Sequence, residues 1–87
     1  MSQLTLSHLT LYSRPGCHLC EEMKTVIDRV STRVPLRLEV VNIDDNPVLR
    51  ERFGLEIPVL LVDGRKVAKH RIEDAALERT LRAGYPA

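Results

Sequence analysis

The sequence has no long apolar run and no sustained excess of charge of one sign. A helix that crosses a bilayer needs about 20 consecutive apolar residues, and the apolar runs of this 87-residue chain are far shorter. Its 13 basic and 12 acidic residues are interspersed and give a net charge of +1, so they produce no field that would attract a nucleic acid or an anionic membrane. We therefore expect no membrane and no nucleic acid as a partner.

The chain also begins without the features of a secretory signal. Residues 1–5 include no basic segment and lead into no long apolar core, so we expect a cytoplasmic protein. The composition, with 44% hydrophobic and 29% charged residues, is that of a small globular protein. Residues 1–87 leave room for one domain with a modest core, and we expect this domain to be a monomer.

Cysteine is scarce, and the two cysteines present lie three positions apart. Cys17 and Cys20 follow an apolar run that predicts a strand, and they stand at the start of an amphipathic stretch that predicts a helix. One helical turn brings such side chains together, so the pair can alternate between two thiols and one disulfide without a backbone rearrangement. Disulfides in the cytosol are more often catalytic than structural. Redox chemistry is therefore the first hypothesis.

A metal site is the main alternative use of the two cysteines. Structural zinc usually takes four protein ligands, and the other histidines, His8 and His70, are not spaced to complete such a set. A haem attachment motif needs a histidine directly after the second cysteine, where Glu21 stands. A metal or iron-sulfur site shared between two subunits stays open, and so does a non-catalytic binding module.

Hydrophobic periodicity and turn residues predict seven elements. Asn46 is expected to cap the second helix, with Pro47 at its first position and Gly54 at its end. Asp63-Gly64 favours a two-residue hairpin turn. The order β-α-β-α-β-β-α predicts an α/β fold, with a four-stranded mixed sheet and helices on both faces. The predicted strands are 6–12, 36–42, 59–62 and 65–69, and the predicted helices are 17–32, 44–53 and a last one with Ile72, Ala76, Leu77, Thr80 and Leu81 toward the core and Gly84 and Pro86 beyond its end.

This topology brings four distant segments to one end of the sheet. Cys17 lies past the carboxyl end of the first strand, and an antiparallel third strand would begin beside it, at Ile57-Pro58. The fourth strand would end there too, near Arg71. Exposed loops on a rigid scaffold are where ligands bind. The predicted site, called the rim below, comprises Arg14, Cys17, His18, Cys20, Ile57, Pro58 and Arg71.

Two parts of the chain resemble known redox proteins. Residues 12–20, Tyr-Ser-Arg-Pro-Gly-Cys-His-Leu-Cys, resemble the glutaredoxin pattern of a tyrosine, a hydroxyl residue, a basic residue, two further residues and C-x-x-C. Residues 42–47, Phe53-Gly54 and Ile57-Pro58 are similar to the matching stretch of thioredoxins and small glutaredoxin-like redoxins. A C-x-x-C followed about forty residues later by an apolar-Pro pair is far more specific than C-x-x-C alone. The resemblance implies a thioredoxin-like (glutaredoxin-like) fold and a thiol-disulfide oxidoreductase without a built-in cofactor.

The position of each cysteine predicts its role in such chemistry. Cys17 would begin the helix, where unpaired backbone N–H groups and the positive end of the helix dipole stabilise a thiolate. Cys20, one turn further on, would be more shielded. We therefore expect Cys17 to attack a substrate disulfide and Cys20 to resolve the mixed disulfide that results.

The other rim residues are expected to bind substrate or to tune the thiol. His18 as a cation would stabilise the thiolate, and the resemblance implies that Arg14 contacts an anionic thiol substrate. X-Pro bonds are mostly trans, so the sequence alone predicts a trans Pro58. The resemblance instead implies a cis proline that faces the dithiol, with Ile57 offering backbone groups to an extended substrate.

The chain departs from the glutaredoxin pattern just before its last helix. Glutaredoxins carry a Gly-Gly-x-Asp segment there that holds glutathione, whereas this chain has His-Arg-Ile-Glu-Asp at residues 70–74. Without the glycine pair a close backbone approach is harder, although Asp74 or the helix N-terminus remains to bind one end of the tripeptide. Glutathione is thus one candidate co-substrate and reductant, and a thioredoxin-reductase-like flavoprotein is the other. The substrate would be a disulfide-containing protein or small molecule.

Overall fold

The computed structural model describes residues 6–83, which form the predicted succession of elements. None of the helices within these residues is both long enough and apolar enough to span a membrane. The expectations for residues 1–5, Gly84 and Pro86 lie outside the described residues. The elements are β1 (Ser7–Ser13), α1 (His18–Ser31), β2 (Leu36–Asn42), a 3-10 turn (Ile43–Asp45), α2 (Pro47–Phe53), β3 (Val59–Val62), β4 (Arg65–Lys69) and α3 (Asp74–Ala83).

The four strands form one mixed sheet in the order β2-β1-β3-β4. β1 pairs with β2 in parallel and with β3 antiparallel, and β3 pairs with β4 antiparallel. Tyr12 is opposite Val59, and Val59 is opposite Lys69. The carboxyl end of β1, the start of β3 and the end of β4 therefore lie together, which confirms the predicted arrangement of strands around the rim.

The sheet buries both of its faces, but one more deeply than the other. Successive side chains of a strand point to opposite faces, and Leu9 and Leu11 of β1 enter a large core while Tyr12 enters a small cluster. In the small cluster Tyr12 stacks on Phe53 of α2 with 4.7 Å between ring centroids. The α1 and α3 side chains in the large core are Met23, Ile27, Val30, Leu77 and Leu81. Helices thus cover both faces, as predicted.

The predicted second helix is divided into two pieces. A 3-10 turn ends at Asp45, and Asn46 is extended, with φ −140° and ψ 110°. The Asn46 side chain accepts hydrogen bonds from the N–H groups of Val48 and Leu49 at 2.9 and 3.3 Å. An extended residue is what the following Pro47 favours, so the α-helix begins at Pro47. The cap at Asn46 and the first helical position of Pro47 are confirmed, whereas residues 44 and 45 of the predicted segment belong to the 3-10 turn.

Two turn predictions have different outcomes. Asp63 and Gly64 have φ of 49° and 86°, the left-handed values that a two-residue hairpin turn requires, so the hairpin is confirmed. Gly54 does end α2, but with φ −55° in the right-handed region rather than the left-handed cap conformation typical of glycine. A Cβ at Gly54 would lie 2.6 Å from the carbonyl oxygen of Arg50, so this glycine permits a close backbone approach.

One ion pair joins α1 to α3, and a second joins α3 to Arg33, just after the end of α1. Arg29 binds Asp74 through two hydrogen bonds of 2.7 and 2.9 Å, which hold the pKa of the Asp74 carboxyl below its usual range. Glu78 accepts from Arg82 at 2.8 Å and from Arg33 at 2.9 Å, and these two bonds likewise lower the pKa of Glu78. The start of α3 is thereby tied to the helix that carries the cysteines.

Candidate functional site

The two cysteines form a disulfide at the start of α1. Cys17 is the N-cap residue, with extended φ −82° and ψ 110°, and its sulfur accepts the backbone N–H of Cys20 at 3.2 Å. The two Cα atoms are 5.2 Å apart. An N-cap side chain normally accepts a hydrogen bond from the first turn of its helix, and here a sulfur has that position. Cys17 is partly exposed and Cys20 only 3% exposed, the asymmetry that the sequence predicts.

The loop between β1 and α1 fixes the position of Cys17. The N–H of Cys17 donates to the carbonyl of Arg14 at 3.2 Å, which closes a tight turn. Gly16 within this turn has φ +81° and open space where a Cβ would be. A glycine is therefore needed here for its backbone conformation and not for lack of room.

The Ile57–Pro58 peptide bond is cis, as the resemblance implies and against the general preference for trans. Pro58 is buried and immediately precedes Val59, which is paired with Tyr12. The carbonyl of Pro58 accepts the N–H of His70 at 2.8 Å. The N–H of Ile57 donates to the carbonyl of Phe53 at 3.1 Å, so that backbone donor is used inside the domain.

One flank of the rim is held by Glu22, which the sequence analysis did not assign to the site. A Glu22 carboxylate oxygen lies 2.9 Å from Nε2 of His18, and the other lies 3.7 Å from Nη1 of Arg71. Two predicted site residues from different elements thus meet at one carboxylate. The i,i+4 spacing of His18 and Glu22 was the available sequence signal. Nothing local indicates the contact with Arg71.

The opposite flank is held by Asp44, which the sequence analysis also did not assign to the site. Nε of Arg14 donates to the Asp44 carboxylate at 3.0 Å, and both side chains are a little more than one third exposed. Asp44 follows β2 and Arg71 follows β4, which are the two outer strands of the sheet. Arg14, directly after β1, is paired toward the β2 edge, whereas Arg71 lies beyond the other edge strand, and each is already close to a carboxylate of the chain.

A groove beside the rim separates α1 from the connection between β4 and α3. Its volume is about 230 Å³. Asp74, the residue left to bind glutathione in place of the missing glycine pair, lies in this groove but is bound by Arg29. The groove is lined by Glu22, Met23, Val26, Arg29, His70, Arg71, Ile72, Glu73 and Asp74.

Potential metal ligands are dispersed across the described part of the chain. Within residues 6–83, no three histidine, cysteine, aspartate or glutamate side chains are grouped so that they could hold a metal ion. The cysteine pair is therefore the chemically distinctive feature of the rim in a single copy of the domain.

Comparisons with known proteins agree with this geometry. A glutaredoxin-like protein of Dictyostelium discoideum, described as a YDR286C homolog, is 30% identical over 76 residues, which cover 80% of this chain and 70% of the relative. The crystal structure of protein XcR50 from X. campestris is 31% identical and has a TM-score of 0.73, covering 88% of this chain and 99% of that one.

The wider fold is shown by a more distant structure. A mutant thioredoxin from Halobacterium salinarum superimposes with a TM-score of 0.63 at 18% identity, over 88% of this chain and 73% of the thioredoxin. The architecture is therefore thioredoxin-like. The model of the glutaredoxin-like domain family (DUF836) matches residues 8–82, and the chain belongs to this family.

Proposed function

We propose that this domain is a thiol-disulfide oxidoreductase that acts through Cys17 and Cys20. The observation that carries the proposal is the placement of the pair at the start of α1, with a partly exposed sulfur at the N-cap and a buried sulfur one turn later. In the reduced protein, the N–H groups of the first turn and the helix dipole would stabilise a Cys17 thiolate. The thiolate is the nucleophile in disulfide exchange.

The reaction proceeds in two exchanges. The Cys17 thiolate attacks one sulfur of a substrate disulfide, forms a mixed disulfide and expels the other sulfur as a thiolate, which takes a proton from water. Cys20 then loses its proton and attacks the Cys17 sulfur, which forms the Cys17–Cys20 disulfide and releases the second substrate thiol. The substrate gains two electrons and the domain loses two. The oxidised domain is the form described above.

The rest of the rim would bind the substrate around the sulfur of Cys17. An extended substrate segment would donate a backbone hydrogen bond to the carbonyl of Ile57 next to the cis Pro58, in the manner of strand addition. His18 would stabilise the thiolate, and Arg71 and Arg14 would attract anionic groups of a disulfide-containing protein or small molecule. Both arginines would exchange a carboxylate of the chain for one of the substrate.

Electrons would return to the domain from glutathione or from a thioredoxin-reductase-like flavoprotein. We propose a cytoplasmic setting, where either reductant fits the chemistry. The ion pairs of Arg14 with Asp44 and of Asp74 with Arg29 compete with any glutathione carboxylate or ammonium group.

Single cysteine variants test the proposal. Cys17→Ser should abolish the reduction of a model disulfide, because the attacking sulfur is lost. Cys20→Ser should lose turnover but accumulate mixed disulfides, which are detected as added mass under non-reducing conditions. Ser31→Cys, on the exposed end of α1, is a control that adds a thiol without removing either cysteine.

Two other outcomes of these experiments would indicate a different function. Unchanged turnover in both cysteine variants would contradict the proposal and leave a non-catalytic binding module. A visible absorption band in anaerobically purified protein that both substitutions abolish would indicate a cluster shared between subunits.

A further inference from the structure

The outer side of β2 is an open sheet edge in the described chain. β2 pairs with β1 on one side and is the last strand of the order β2-β1-β3-β4. Within residues 6–83, no strand pairs with its other side. An open strand of seven residues presents unpaired backbone N–H and C=O groups to which another strand can bind.

The side chains of β2 have a separate pattern on each face of the sheet. Leu36 and Leu38 pack against the large core, and Val40 on the same face is 46% exposed. Arg37 and Glu39 point to the other face and are both exposed. In the described part of the chain, neither of these two has an ion-pair partner. The edge therefore carries one cation, one anion and Val41 on one face, and three apolar side chains and Asn42 on the other.

We propose that a second copy of the domain pairs with this edge, β2 against antiparallel β2, with the two-fold axis at Leu38. Directly opposite residues of an antiparallel pair lie on the same face of the sheet. Leu38 then meets Leu38 of the second copy, and Leu36 meets its Val40. On the other face Arg37 meets its Glu39, and by symmetry the reverse pair also forms. The contact joins two four-stranded sheets into one of eight strands.

The charge pattern selects this register over its neighbours. Moving the two-fold axis to Arg37 places two arginines opposite each other, and moving it to Glu39 does the same with two glutamates. Like charges directly opposite destabilise a strand pair, whereas opposite charges stabilise it. The edge is thus self-complementary in one symmetric register, as an isologous dimer interface must be.

The surroundings of the edge leave room for this partner. Val40 is nearly half exposed, so the helices of the same domain do not cover that end of β2. Cys17 follows β1 and not β2, so pairing leaves the disulfide accessible. The antiparallel arrangement points the two rims in opposite directions.

A single strand pair buries little surface compared with stable interfaces, which bury about 1,200–2,000 Å². We therefore expect a weak dimer, with a dissociation constant between about 10 µM and 1 mM. The domain would then be a monomer in dilute solution, as the sequence analysis expects, and a dimer in concentrated solution.

Charge reversal and its rescue test the dimer. Sedimentation velocity of the oxidised protein from about 10 µM to 1 mM should show reversible association, without intermolecular disulfides on a non-reducing gel. Arg37→Glu should weaken it at least about tenfold, because two glutamates then face each other twice. The double variant Arg37→Glu/Glu39→Arg should restore it, and Arg79→Glu on exposed α3 should leave it unchanged.

Hydrogen exchange identifies the surface that associates. In the wild type, amides of β2 should gain protection as concentration rises. The far-UV circular dichroism spectrum and the Tm of dilute Arg37→Glu should match the wild-type values and show that this variant is folded. The proposal would be overturned if the wild type stays a monomer throughout the range or if Arg37→Glu associates like the wild type. It would also be overturned if the double variant stays monomeric or if protection is confined to other strands.

Discussion

Cys17 has two structural tasks, since it ends the β1–α1 loop and caps α1. Its sulfur accepts the N–H of Cys20, while its own N–H is held by Arg14. A sulfur in this position faces the unpaired N–H groups of the first helical turn, and the Cys17 sulfur accepts one of them. In the proposed mechanism the local charges, His18 with Glu22 and Arg14 with Asp44, would adjust a thiolate that the helix start stabilises.

His18→Ala should raise the pKa of the Cys17 thiol in the reduced protein. A protonated His18 would place a positive charge on the residue next to Cys17, and exposed charge pairs contribute about 0.2–1 kcal/mol, which corresponds to about 0.1–0.7 pH units. Because Glu22 lies 2.9 Å from the ring and offsets its charge, we expect the lower part of that range. Thiolate absorbance measured against pH gives the value.

A second histidine provides the control for this titration. His70→Ala removes an exposed histidine of the groove and should leave the pKa of Cys17 unchanged. An unchanged pKa in His18→Ala as well would show that the helix start alone sets the acidity of the thiol.

At the scale of elements, local sequence signals were sufficient for most of the chain. The Asp63-Gly64 turn, the Asn46 cap and the start of α1 at the cysteines each depend on neighbours within about four residues, which is the range over which turns and caps act. The division of the second helix was not predicted, because the 3-10 turn depends on a second cap. The Asn42 side chain accepts the N–H of Asp44 at 2.9 Å.

The pairing of α1 with α3 predicts how stability depends on pH. The pKa values of Asp74 and Glu78 are lowered in the folded protein by hydrogen bonds from arginines. The stabilisation is therefore complete above the ordinary carboxyl pKa of about 4 in the unfolded chain and is lost as pH falls through the lower folded values. We expect the Tm to fall steadily from about pH 5 toward pH 3.

Neutral variants separate this contribution from other carboxylates. Asp74→Asn/Glu78→Gln should have a lower Tm at pH 7 and a shallower loss of Tm on acidification, measured by calorimetry. Asp28→Asn, a substitution at an exposed α1 residue, is the control and should keep the wild-type slope. An equal slope in all three proteins would contradict the assignment.

At the scale of the whole molecule, ion pairs between distant segments decide which charges remain for a substrate. Arg14 meets Asp44 across 30 positions, and Arg29 meets Asp74 across 45. Each pair includes one residue that the resemblance to glutaredoxins places in contact with a thiol such as glutathione, namely Arg14 or Asp74. A glutathione molecule that used these groups would have to displace both ion pairs.

Release of Arg14 should improve the use of glutathione. Asp44→Asn removes the carboxylate that binds Arg14. An anionic thiol would then meet less competition for the guanidinium group. An exposed pair of about 0.2–1 kcal/mol predicts a KM for glutathione that falls by about 1.4- to 5-fold. Steady-state kinetics with an uncharged model disulfide measure it.

The neighbouring Asp45→Asn is the matched control, because Asp45 is exposed and the same charge is removed one residue away. Its KM for glutathione should stay near the wild-type value. Equal changes in the two variants would mean that net charge, and not the release of Arg14, controls the affinity for glutathione.

The sequence by itself determined the order of elements, the dithiol at a helix start and the strand topology around the rim. These depend on periodicity, on turn residues and on a resemblance that covers most of the chain. Only the tertiary structure decided that Glu22 joins His18 to Arg71, that Asp44 binds Arg14, and that, among residues 6–83, β2 has an open edge. The physical reason is distance along the chain. Contacts between charged side chains of separate elements leave no periodic signal in the sequence, and they form only after the sheet has brought those elements together.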